Sequence, residues 1–170
     1  SSYDLAFHRY NDSLLKTEVN AYKILSAMTS LEALLSDGST EISFKIRLRV
    51  AKLLSLFGFN SLEVSEKAKT AYSLRSKLVH GSKPEDKDND LLEFARLHTH
   101  EIINYNRLCL LISLQLKKSV DKQRLIKLID NSLIDRVADA ELTKLIDEKV
   151  KIPIINPFPS RQKSTETTET

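Results

Sequence analysis

Arg75 and His80 are the two residues whose types and spacing point to chemistry. Arg75 falls on an apolar stripe of helical period, four residues after Ala71 and three before Leu78. A guanidinium on a core-facing stripe cannot shed its charge, so it must be paired or open onto a polar pocket. His80 follows five positions later, beside Gly81. Side chains at i and i+5 of an ideal helix diverge by about 140°. The pair therefore converges only if the helix ends there or a second chain completes the site. A helix C-terminus also favours a charged imidazole. Together the two groups would make a metal-free phosphodiester site. The imidazole would act as base or acid at a ribose 2′-hydroxyl or its leaving 5′-oxygen, and the guanidinium would hold the phosphate. Arg-x4-His spacing is common by chance, however. Taken alone it favours a helix-end histidine beside a salt-bridged arginine.

The neighbours are read in the same way. Lys77 and Lys83 would add weaker contacts to flanking phosphates, and Ser76 is a polar neighbour of the arginine. Glu32 sits at the edge of an apolar helix face, one turn after Met28, and is expected to pair with Arg49 or Arg75 as a structural ion pair. His98 and His100 are two apart, point to nearly opposite sides of a helix and cannot share a metal. No H-E-x-x-H motif, cysteine cluster, acidic Mg²⁺ constellation or glycine-rich phosphate loop occurs, so neither metal nor cofactor is expected. Without tryptophan, and with scattered tyrosines, no stacking platform for single strands is evident. Cys109 lies inside the apolar run Leu108 to Leu116, reads as a small buried hydrophobe and excludes an internal disulfide. Lys117, Lys118, Lys122, Arg124 and Lys127 could track a phosphate backbone, although such runs are more often solvated helix faces.

The elements that must position these residues are helices. The 170-residue chain has only three glycines and four prolines, where usual usage gives about twelve and about eight. That shortage argues against an all-β sandwich or a βαβ repeat. A short leading helix is predicted over Tyr3 to Tyr10. A second spans residues 13–36, N-capped by Asp12 or Ser13, with Ala21, Ile24, Leu25, Met28, Leu31 and Leu35 on one face. A third is capped by Ser39 and Thr40 and runs to Phe57. Its core stripe is Ile42, Ile46, Val50, Leu53 and Phe57, and a separate charged stripe is Glu41, Lys45, Arg49 and Lys52. The Arg75 helix starts from Asn60 and Glu63, spaced as a capping box, and ends around Val79 to Gly81. After a loop over 82–90, a long helix runs from Asp90 to Leu116. A final helical region covers 119–150, with a break near Asn131. The expected fold is an all-α bundle of five to six helices over residues 1–150, with a disordered tail over 151–170.

Charge and hydropathy bound the rest. Residues 40–83 hold nine Lys or Arg against three Asp or Glu, a local +6 within an overall +3. A basic centre on the two helices that carry the motif suits an anionic ligand. The longest apolar run is far short of the ~20 residues a membrane span needs, so no membrane partner and a cytoplasmic setting are expected. The chain opens on Ser1 rather than Met, which suggests further domains of a longer parent protein.

The run Ala71 to Gly81, AYSLRSKLVHG, resembles the hallmark of the HEPN superfamily, and closely that of its ApeA-like branch. SLEALL over Ser30 to Leu35, then Glu41-Ile42-Ser43-Phe44, then Arg49-Val50-Ala51 leading into Leu53-Leu54, fit the same branch in the same order. The resemblance is strongest over residues 21–83, and beyond Ser119 there is none. It implies a helical bundle that dimerises with two Arg-x4-His motifs facing each other. It also implies metal-independent RNA cleavage of toxin or anti-phage type, or, alternatively, RNA or nucleotide binding without cleavage in a larger defence protein. The matching catalytic residues are Arg75 and His80, and the family pattern also places a glutamate at Glu32. This chain departs from the pattern in two places. Ser76 follows the arginine where active members often carry Asn, Asp or His. Ser82 stands where antitoxin-modified members have a tyrosine, so that form of control is not expected.

Overall fold

A computed structural model describes residues 1–38, 40–80 and 89–152. The predicted loop at 82–90 lies outside the described residues except for its last two positions. Of the predicted tail, only Lys151 and Ile152 fall inside them. The described chain is all-helical, with seven helices rather than five or six: α1 (Ser2–Leu15), α2 (Asn20–Leu35), α3 (Ile42–Ser55), α4 (Ser61–Val79), α5 (Asn89–Leu116), α6 (Lys122–Ser132) and α7 (Arg136–Lys149). None is long and apolar enough to cross a membrane.

The second helix is the hub. It packs against α1, α4 and α5, and it is buried over most of its circumference: Ala21, Ile24, Ala27, Met28, Leu31, Leu34 and Leu35 are buried, and so are Ser26 and Ser30. A helix buried on more than one face belongs inside a bundle rather than on its surface. The 28 residues of α5 lie along it, burying Ile102, Leu108, Cys109, Ile112 and Leu116 in the same core. Each such aliphatic side chain contributes about 1.5–3 kcal/mol on leaving water. Burial also pushes the Cys109 thiol up to about 12, leaving it a hydrophobe rather than a nucleophile.

Several helix boundaries differ from expectation. Asp12 and Ser13 do not cap the second helix. They lie inside α1, where the Ser13 hydroxyl donates to the Tyr10 carbonyl and Asp12 pairs with Arg9. The position before α2 is Val19, without a side-chain cap. Nor does Thr40 cap α3: its N-cap is Glu41, in the left-handed region at φ 61°, and Ser39, the other expected cap, lies outside the described residues. Asn60 does cap α4, accepting from the Glu63 amide at 3.0 Å. Glu63 does not reach back to complete the box, because its carboxylate is engaged by Lys67 at 2.6 Å. The third helix closes as a Schellman turn, with the Gly58 amide on the Ser55 carbonyl and the Phe59 amide on that of Leu54. That turn needs a positive φ, which Gly58 supplies at 82°.

The charged stripe of α3 faces other elements, and its Arg49 is ion-paired with partners other than the expected Glu32. Arg49 is 1% exposed. Its guanidinium donates to Asp130 at 2.7 Å through both Nε and Nη2, to Asp37 at 2.9 Å and to the Leu35 carbonyl at 2.6 Å. A buried guanidinium persists only with partners of this kind. Lys52 likewise reaches Asp139 at 2.6 Å. This stripe is the seam that carries α6 and α7.

Candidate functional site

The last two turns of α4 hold the residues on which the motif rests. Tyr72 and Arg75 are spaced i,i+3, so they are neighbours on one face, and that face meets Glu32 on α2. The Tyr72 hydroxyl donates to Glu32 Oε1 at 2.7 Å, and Arg75 Nη2 donates to Glu32 Oε2. Each carboxylate oxygen thus serves one α4 residue. The Arg75 guanidinium carbon lies 5.5 Å from the centre of the Tyr72 ring, within cation–π range. Arg75 Nε is buried without a hydrogen-bond partner. Burial, and then the hydrogen bond to Glu32, push the Tyr72 phenol up to about 12, so it stays a donor at neutral pH.

Of the two partners expected for Glu32, the structure brings Arg75 to it. Arg49 does not join, because Asp37, Asp130 and the Leu35 carbonyl engage all three of its guanidinium nitrogens. The positive charge of Arg75 is therefore compensated on the side facing the bundle.

His80 is the C-cap of α4 and is exposed. Its amide still donates to the Ser76 carbonyl at 3.2 Å, so the helical turn carries through this position and the ideal offset from Arg75 is kept. Within one chain the two side chains diverge, with the guanidinium turned toward α2 and the imidazole toward solvent. Ser76 is half-buried and Lys77 exposed. Lys83 lies outside the described residues.

Positive charge elsewhere is largely matched. Arg47 pairs with Glu66 at 3.3 Å, Lys45 with Asp37 at 3.7 Å and Lys67 with Glu63 and Glu101 at 2.6 and 2.7 Å. With Arg49, Lys52 and Arg75, most of the local excess over 40–83 is answered by carboxylates brought from other parts of the chain. Two members of the basic stretch after α5 also have internal roles. Lys122 donates to the Ala33 carbonyl at 2.9 Å, and the Lys117 ammonium lies 5.9 Å from the Tyr3 ring centre.

Neither Tyr72 nor Glu101 is marked by a motif of its own in the sequence. The i,i+3 relation of Tyr72 to Arg75 was a usable signal. Glu101 is buried between α4 and α5, where it accepts from Lys67 at 2.7 Å and Tyr105 at 2.8 Å and meets His98 Nδ1 at 3.1 Å. Burial opposes its charge, but those three hydrogen bonds prevail and hold its carboxyl below the ordinary value. His98 is thereby drawn inward while His100 is exposed. Compared with models of known families, with curated proteins and with solved structures, the chain matches none of them.

Proposed function

We propose that the chain is a metal-independent endoribonuclease of HEPN type, working as a homodimer in a defence or toxin setting. One observation carries the reading: the helix end that exposes His80 also holds Arg75 as a fixed, half-buried cation. The HEPN-like motifs around both residues supply the chemical class. Because the two side chains diverge within one chain, a second copy is needed to bring an imidazole and a guanidinium to one phosphate.

The chemistry then runs as follows. His80 takes the proton of a ribose 2′-hydroxyl, the 2′-oxygen attacks phosphorus, and the 5′-oxygen leaves with a proton from an imidazolium. Arg75 balances the charge that builds on the phosphate oxygens. Lys77 and Lys83 steady the flanking phosphates, beside Ser76. The products carry 2′,3′-cyclic phosphate and 5′-hydroxyl ends. End-group analysis of RNA cleaved in EDTA tests this route, and 3′-hydroxyl ends would contradict it.

A second reading is favoured by the Glu32–Arg75 pair itself. An arginine already satisfied inside the bundle also suits a non-catalytic domain that binds RNA or a nucleotide, or dimerises, within a larger defence protein. Under that reading the parent does not cleave RNA, and Arg75→Ala lowers the melting temperature strongly.

A further inference from the structure

We infer that Tyr72 is a positioning residue for Arg75, holding the guanidinium through its hydroxyl on Glu32 and through the ring that lies against it. This inference rests on the reading of Arg75 as the phosphate-binding group of an RNA-cleaving site. Glutamate and arginine side chains are long and rich in rotamers, so an ion pair between them does not by itself define one geometry. Here the Glu32 carboxylate is held at both oxygens, by Tyr72 at Oε1 and by Arg75 at Oε2. With Oε1 pinned at 2.7 Å, the carboxylate plane cannot rotate freely, and the direction in which Oε2 receives Arg75 is set. The second hold is the ring, 5.5 Å from the guanidinium carbon. The i,i+3 spacing keeps ring and guanidinium on the same helix face. Tyr72 thus reaches Arg75 along two routes, one through α2 and one within α4. Both end at a group whose Nε is shielded from water and has no other partner.

Phosphoryl transfer rewards such placement, because a displacement of about 1 Å in a charge-stabilising group can cost about 100-fold in rate. Tyr72→Phe removes only the hydroxyl, whereas Tyr72→Leu removes both hydroxyl and ring. The expected losses in kcat are about tenfold and about 100-fold, with KM moving less than about twofold. In a Glu32→Gln background, Tyr72→Phe should cost less than about a further twofold, because its main route is already broken. A readout independent of turnover is the Arg75 Nε–Hε proton, followed by ¹⁵N NMR. It should exchange slowly in the parent and about threefold or more faster in Tyr72→Phe. A Phe variant that cleaves and exchanges like the parent overturns the inference. So does an undiminished loss in the Glu32→Gln background. If Arg75→Ala and His80→Ala both cleave normally, the ribonuclease reading fails instead, and the exchange measurement alone then decides whether Tyr72 positions Arg75.

Discussion

Glu101 shows at single-residue scale how much of this bundle is tied by buried charge. Its side chain is 8% exposed and that of its partner Lys67 19%, so solvent screens the pair little. Glu101→Gln leaves the Lys67 ammonium with only Glu63, and it should cost about 2–3 kcal/mol at pH 7. The pH dependence has a definite sign. The Glu101 carboxyl is held below its ordinary 4.5, so its contribution is complete above that value and is lost as pH falls through the lowered one. Urea unfolding at pH 7 and again below pH 4.5 should therefore show the Gln variant's deficit shrinking in acid. A deficit constant across that range would contradict the account. The sequence held a trace of this cluster, since His98 and Tyr105 stand three before and four after Glu101. What it could not show is that Lys67, thirty-four residues away, lies opposite.

Among elements, α3 does the least expected work. It was legible as a helix because Ile46, Val50 and Leu53 recur at helical spacing and are all buried. The partners of its charged side were not legible because periodicity describes one helix at a time, and a charged stripe facing water looks the same as one facing another helix. Arg49 caps the carbonyl end of α2 and grips Asp130 on α6, while Lys52 grips Asp139 on α7. Arg49→Ala should cost about 3 kcal/mol. The loss should be local as well as global, with amide exchange accelerating in α6 more than in α5. Equal acceleration in both helices would argue against a docking role. The break between α1 and α2 went unseen for a related reason. The stretch Lys16 to Val19 has no glycine or proline, so the polar pair Asp12 and Ser13 looked like the better boundary.

Across the whole molecule, folding changes the meaning of charge. The local +6 over residues 40–83 reads as a footprint for an anion, but most of those cations meet carboxylates from α2, α5, α6 and α7 or their own helix. What remains at the motif end of α4 is narrower: the exposed His80, with Arg75 held on another face of the helix by Glu32 and Tyr72. All-helical architecture was legible from the scarcity of glycine and proline. The chemistry of the site was legible only as a motif, because the partner of Arg75 and the outward turn of His80 depend on how α2 and α4 pack. The central claim is that His80 cleaves RNA without a metal. Its most direct test is an RNA cleavage assay in EDTA, comparing the parent chain with His80→Ala at equal folded concentration. The account predicts cleavage by the parent and a loss of at least about 100-fold in the variant. Equal rates in the two would contradict it.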